Sequence, residues 1–292
     1  MTIQMSQQLQ SNVVQRLHLL RLRKDVRVIA LGDSSVFGVG DVGDDLPFVG
    51  AGWSGRLARD IGAVAYINVA KNGVRAKHLL KSQLPAALAM IPDLALFCIG
   101  TNDVLRGDFS PEEIYRSLVR IVQELNSIDC VVVFLGLPNP MQTAPGPKFL
   151  RRILEERVEI VNGILNDVAK DFDARVIPTD ILKNSKEYWH VDRMHPSPLG
   201  HQFIADHVRK SLFLPRVKGS PLPVDSDKSL KFELVWLMTN GSKWFLKRSI
   251  DLIPGLIWLV ISDKFIKRTR WNLASLAMVN SATKSRPDHR VT

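Results

Sequence analysis

The chain has 292 residues, 46% of them hydrophobic and 23% charged, with a formal net charge of +10. These proportions exclude a disordered polymer, and the length is enough for one large domain or two small ones with a sizeable core. Only two cysteines occur, Cys98 and Cys130, both inside apolar runs; they read as small buried hydrophobes in a reducing compartment rather than as a disulfide.

Met1 to Gln10 is polar and lacks the apolar run of a secretory signal, which gives the expectation of a cytoplasmic protein. Residues 1–27 carry Arg16, Arg21, Arg23, Lys24 and Arg27 against Asp25, a net of +4, and residues 1–25 read as a basic N-terminal arm. From Val26 onward, short apolar runs alternate with helical stretches. Val26–Leu31, Val64–Val69, Leu94–Ile99, Cys130–Leu135 and Ala174–Ile177 are rich in β-branched residues and nearly apolar throughout, as strands covered on both faces are. Helices are expected between them, near Trp53–Ile61, Ala76–Met90, Pro111–Asn126, Lys148–Lys170 and Pro198–Leu212. The third has a defined start, with Ser110 as N-cap, Pro111 in the first turn and Glu113 placed to complete a capping box. Strands alternating with helices predict an α/β domain over residues 26–217, with a parallel sheet between two helical layers.

Composition changes at Lys218. Residues 218–228 form a linker rich in Pro, Gly and Ser, and residues 218–292 carry thirteen basic and six acidic side chains. This tail holds four of the six tryptophans: Trp236, Trp244, Trp258 and Trp271. The 26–217 domain is nearly neutral, so the charge of the ends need not concern its substrate. The run Ile250–Ile261 is apolar but too short and too broken by Asp251 and Pro254-Gly255 to span a bilayer. Residues 231–271 fit amphipathic helices on an anionic membrane surface, or helices docked on the domain as a lid. Nucleic-acid binding is the weakest reading of the tail. A membrane contact would make the protein peripheral at the inner membrane face.

In an open parallel sheet, ligands collect at the carboxyl ends of the strands. Four groups of chemistry-bearing residues fall there or beside the last helix: Gly32-Asp33-Ser34, Asn72-Gly73, Gly100-Thr101-Asn102-Asp103 and Asp192-Arg193-Met194-His195-Pro196. Taken singly each has a plain structural reading, as a turn, a helix cap or surface polarity. Together, in this order, they resemble the four blocks of the SGNH (GDSL-type) hydrolases. The resemblance covers about residues 26–214. The wording of Gln83-Leu84-Pro85-Ala86-Ala87-Leu88 and Pro92-Asp93-Leu94 is similar to an actinobacterial branch of that family.

The resemblance implies a three-layer, flavodoxin-like sandwich on a five-stranded parallel sheet, followed by a C-terminal helical tail. It implies Ser34, rather than Ser35, as nucleophile, His195 as general base and acid, and Asp192 as the carboxylate that orients the imidazole. The oxyanion donors would be the backbone N–H groups of Ser34 and Gly73 and the side-chain amide of Asn102. Asp33 would bond the turn that presents Ser34. The expected activity is hydrolysis of a carboxylic ester, of a lipid, an acetylated sugar or a thioester, through an acyl-serine and without metal or organic cofactor. The alternatives are acyl transfer by the same site, or a non-catalytic membrane-associated adaptor on a hydrolase scaffold. Two other site readings are weaker. Gly38-Val39-Gly40-Asp41-Val42-Gly43 has the spacing of a dinucleotide loop, but Asp41, Asp44 and Asp45 would repel a pyrophosphate. His190, Asp192, His195 and His201 could ligate a metal, but their spacing matches no common zinc pattern.

Overall fold

The computed structural model describes residues 2–41, 50–138, 148–179, 182, 186–190 and 192–217. The five apolar runs form strands β1 (Arg27–Gly32), β2 (Ala65–Asn68), β3 (Leu94–Cys98), β4 (Val131–Leu135) and β5 (Arg175–Ile177). All pair in parallel, in the order β2-β1-β3-β4-β5. Every residue of β3 and β4 is buried, which is why these runs carry no polar alternation. Ile29 stands opposite both Ile67 and Ala95, and Phe97 opposite Phe134, their rings 5.4 Å apart.

Nine helices are described: α1 (Thr2–Leu22), α2 (Ser34–Phe37), α3 (Gly52–Asp60), α4 (Ala76–Ser82), α5 (Leu84–Met90), α6 (Thr101–Val104), α7 (Pro111–Asn126), α8 (Lys148–Asp171) and α9 (Pro198–Ser211). Helices α3 and α9 pack on each other against one face of the sheet, while α4, α5, α7 and α8 pack in succession against the other. This is the expected three-layer sandwich. Helix α7 has the predicted N-cap, with Ser110 Oγ accepting the Glu113 N–H at 3.3 Å, and Ile114, Leu118, Ile121, Val122 and Leu125 bury one stripe. The Glu113 carboxylate lies 3.4 Å from Lys77 Nζ, on the neighbouring helix.

Two stretches differ from expectation. Ala76–Met90 is not one helix but two, broken at Gln83, whose backbone (φ −128°, ψ −39°) leaves the helical region. Pro85 lies in the first turn of α5, where its missing N–H and its ring are tolerated, whereas inside a continuous helix they would not be. The second difference is at the N-terminus, where the sequence suggests a basic arm over residues 1–25. Residues Val13, Leu17 and Leu20 of α1 are buried, at the spacing of one helical face, and Leu17 and Leu20 belong to the main core.

Helix α1 crosses the amino ends of the strands, and its charges are used there. Arg16 donates to Asn126 Oδ1 at 3.2 Å and to the backbone oxygens of Cys130 at 3.4 Å and Asp173 at 3.2 Å, and it pairs with the Asp173 carboxylate. Arg21 Nε donates to Leu212 O at 2.9 Å, and Arg23 pairs with Asp93. At the other end of the domain, Val217 N–H donates to Asp60 O at 2.9 Å and Arg216 reaches Asp60 at 3.2 Å. The linker and the Trp-rich tail, 218–292, lie outside the described residues.

Candidate active site

Strands β1 and β3 are neighbours at the centre of the sheet, and the chain leaves them in opposite directions, β1 toward β2 and β3 toward β4. In open α/β sheets, ligands bind beyond the carboxyl ends of the strands where the order reverses in this way. Ser34 follows β1 directly. Gly32 makes the turn possible, because with φ at +138° an added Cβ would stand 2.1 Å from Cys98 O. Asp33 caps α2, its Oδ1 accepting the Ser35 N–H at 3.1 Å. Gln83 fixes the strand end from the other layer: its Oε1 accepts the Gly32 N–H at 2.8 Å and its Nε2 donates to Gly32 O at 2.9 Å. The same side chain that breaks the α4–α5 run therefore anchors the residue two before Ser34.

The loop ahead of α9 brings the imidazole. A backbone bridge between Trp189 and Pro196, with His190 N–H donating to His195 O at 2.8 Å, closes it. Inside it, Asp192 Oδ1 accepts the N–H groups of Met194 at 2.9 Å and His195 at 3.0 Å, while Oδ2 lies 2.8 Å from His195 Nδ1. His195 Nε2 then meets Ser34 Oγ at 2.8 Å across 161 positions of sequence. It is the hydroxyl of Ser34, not that of Ser35, that this nitrogen meets.

Gly73, with φ at +80°, lies in the loop after β2, and Asn102 is the second residue of α6, which follows β3. Asn102 Nδ2 donates to Val74 O at 3.1 Å, so the two blocks touch. Of the sequence-predicted residues, Ser34, Asp192 and His195 form one connected chain of hydrogen bonds, while Asn102 is bonded to Val74, the residue after Gly73.

The charges here are strongly perturbed. Burial opposes ionisation of Asp192, but the His195 charge and hydrogen bonds from His190 and His195 outweigh it, holding the carboxyl well below the usual carboxylate range. Asp33 is fully buried, and that burial dominates the bond from Ser35, pushing its carboxyl up to about 7. His201 does not face a metal site. Its Nδ1 accepts the Trp53 N–H at 3.1 Å and its Nε2 donates to Val39 O at 3.0 Å, and burial lowers its pKa to about 4. The imidazole is neutral, with both nitrogens in use. Among the described residues, no group of three or more His, Cys, Asp or Glu side chains is placed to hold a metal ion.

Nor is the glycine-rich run a phosphate loop in its described part. Gly38 ends α2, and Gly40 packs under the histidine loop, where an added Cβ would stand 2.2 Å from Pro196 O and 3.3 Å from His195 Cβ. Val42 and Gly43 lie outside the described residues. Asp41, buried, takes Arg56 Nε at 2.9 Å and Nη2 at 2.6 Å and the Gly52 N–H at 3.0 Å, a structural task for a residue read as hostile to phosphate.

The GDSL-like Lipase/Acylhydrolase family profile matches residues 30–203, more than half of the chain and all four blocks. The chain belongs to this family. As a GDSL-like acylhydrolase it is a carboxylic ester hydrolase. The match does not reach to an actinobacterial branch. The fold is also that of several solved structures, esterases among them. Axe2, an acetylxylan esterase from Geobacillus stearothermophilus, is 17% identical, with a TM-score of 0.53 over 68% of this chain and 99% of that one. The psychrotrophic esterase EstA from Pseudoalteromonas sp. is 16% identical, with a TM-score of 0.50 over 65% and 97%. TesA is 22% identical, with a TM-score of 0.50 over 64% and 99%. Comparison with curated protein sequences gives no match. No helix among the described residues is long and apolar enough to cross a membrane.

Reading the sequence alone passes over Arg75 and assigns no function to Gln83. Both are polar residues in an otherwise amphipathic stretch, and only the fold shows that their side chains turn inward.

Proposed function

We propose that this acylhydrolase works through a covalent acyl-Ser34. Ser34 Oγ attacks the ester carbonyl carbon as its proton passes to His195 Nε2, and Asp192 holds His195 Nδ1–H and stabilises the imidazolium. The carbonyl oxygen becomes an oxyanion, met by the N–H groups of Ser34 and Gly73 and by Asn102. A carboxamide has two N–H bonds; one of Asn102's goes to Val74, and the proposal assigns the other to the oxyanion. Collapse of the tetrahedral intermediate breaks the C–O bond, and the leaving alkoxide takes the proton from His195. Water then repeats the sequence and frees the acid and Ser34.

The observation that carries this reading is the relay itself: Asp192 Oδ2 to His195 Nδ1 at 2.8 Å, and His195 Nε2 to Ser34 Oγ at 2.8 Å. A nucleophile, a base and an orienting carboxylate in hydrogen-bonded sequence are an arrangement that activates a serine at neutral pH. Two of the Axe2 structures are of catalytic mutants, one with a serine and one with a histidine replaced by alanine, which supports the same assignment by analogy. The non-catalytic adaptor is disfavoured because an idle scaffold has no need to keep this relay hydrogen-bonded.

The first substrates to test are p-nitrophenyl esters of increasing acyl length beside an acetylated carbohydrate. The reading predicts hydrolysis by the full chain and its loss in Ser34→Ala. Undiminished turnover in a folded Ser34→Ala protein would overturn it. Adding an acceptor alcohol and analysing products separates hydrolysis from acyl transfer.

We also propose that residues 231–271, with their alternating aromatic and basic side chains, bring the enzyme to anionic lipid. Co-sedimentation of the full chain with vesicles containing phosphatidylglycerol, but not with phosphatidylcholine alone, is the expected result. Equal recovery with both, or with neither, would contradict it.

A further inference from the structure

The two oxyanion donors assigned above to Gly73 and Asn102 belong to loops that no sheet ladder joins. Gly73 follows β2 and Asn102 follows β3, and β1 lies between those strands. A shift of one loop against the other would pull the donors apart without breaking a single strand–strand bond. Something else must hold them.

The geometry points to Arg75, acting through Asp103, as the positioning residue that keeps these two donors in register. The proposal rests on the oxyanion reading above and deepens it. Asp103 is the residue after Asn102, and Arg75 is two beyond Gly73. Asp103 Oδ1 accepts Arg75 Nε at 3.2 Å, and Asp103 Oδ2 accepts the backbone N–H of Ala76 at 3.1 Å. With the Asn102 Nδ2 to Val74 O bond at 3.1 Å, three consecutive residues of one loop are tied to two of the other.

Arg75 is itself held from behind. Its Nη1 reaches both carboxylate oxygens of Asp108 at 3.0 and 2.8 Å, and its Nη2 donates to Asp108 O at 3.4 Å. The guanidinium plane therefore spans from Asp103 on one edge to Asp108 on another, which a lysine ammonium could not do. The pair is deeply placed, with Asp103 1% and Arg75 7% exposed. Burying two charges costs much of what their attraction returns, so such a pair is a poor device for stability alone. As a brace it has a clear use, because displacing a reacting group by about 1 Å can cost a hundredfold in rate.

The test is a four-protein cycle of wild type, Arg75→Gln, Asn102→Ala and the double variant, with kcat and KM measured on p-nitrophenyl acetate and melting checked for each. Arg75→Gln is expected to lower kcat by about tenfold to a hundredfold with little change in KM, because the donors it aligns act in the transition state. In the Asn102→Ala background its cost shrinks, since one of the aligned donors is already gone. Where Arg75→Gln does not fold, Asp103→Asn takes its place in the same cycle. An unchanged kcat in the Arg75 or Asp103 variant overturns the proposal. So do losses that multiply to within about twofold, the mark of independent sites. If instead Asn102→Ala alone leaves kcat intact, the oxyanion reading fails and this proposal falls with it, a result distinct from the other two.

Discussion

Asp192 gives both carboxylate oxygens to one neighbour: Oδ2 faces His195 Nδ1 at 2.8 Å and Oδ1 accepts the backbone N–H of the same residue at 3.0 Å. One side chain thus sets the position of the histidine and the tautomer of its ring. The two tasks can be separated. In Asp192→Asn the amide oxygen can still accept the Met194 and His195 N–H groups, but the second position now presents a donor to Nδ1. The expected outcome is a protein that still folds, with a lowered melting temperature at neutral pH and kcat reduced by about 10⁴-fold. A fall of less than tenfold, measured on any ester the wild type hydrolyses, would mean that the carboxylate does not orient the base.

Asp192 also has a stability signature. Its carboxyl is held below the usual range in the folded protein, so the unfolded chain takes up a proton first as pH falls below about 3.9. The stability it contributes is complete above that pH and is lost on further acidification. Acid melting curves of wild type and Asp192→Asn should converge at low pH and separate above it. Parallel curves across the whole range would contradict this.

Asp33 behaves in the opposite sense. Burial raises its carboxyl to about 7, whereas in the unfolded chain it ionises near 3.9, roughly the ordinary value. Between those two values the unfolded state releases the proton first. Stability therefore declines as pH rises through this window and levels off above about 7. Asp33→Asn keeps an acceptor for the Ser35 N–H and removes the titration. The variant is expected to melt higher than wild type at pH 8 and to match it near pH 4. A lower melting point at pH 8 would show that the charge itself stabilises the turn.

Gly40 is a packing requirement for the catalytic loop. It lies at φ +91°, and a methyl group there would meet Pro196 O at 2.2 Å and His190 Cβ at 3.2 Å. Gly40→Ala is expected to cost about 1–3 kcal/mol of stability from backbone strain alone. Pushing on residues 190 and 196 would also displace His195 from Ser34 and lower kcat. Chemical denaturation together with steady-state kinetics checks both. Normal kcat in the variant would show that the loop gives way elsewhere.

The sheet was legible because nearly apolar runs such as Leu94–Cys98 and Val131–Leu135 have no other comfortable place than the middle of a parallel sheet. The candidate site was legible in part, because Ser34, Gly73 and Asn102 each follow a strand in a short Gly- or Asn-marked turn, where an open α/β sheet gathers its ligands. What stayed hidden depended on tertiary contact. The basic charge of residues 1–27 masked the Val13, Leu17, Leu20 stripe, since a helix face and a solvated arm can have the same composition. The break at Gln83 was hidden because its amide bonds Gly32, 51 positions away, and no local rule requires that. The Arg75–Asp103 pair, 28 positions apart, joins loops of strands that are not neighbours, so only the strand order reveals it.

The central claim, that Ser34 is a nucleophile activated by His195, is tested most directly by labelling with a fluorophosphonate probe and mapping the adduct by mass spectrometry. The account predicts a single adduct on Ser34 in the wild type and none in Ser34→Ala. A folded wild-type protein that stays unlabelled, or an adduct mapped to Ser35 instead, would contradict it.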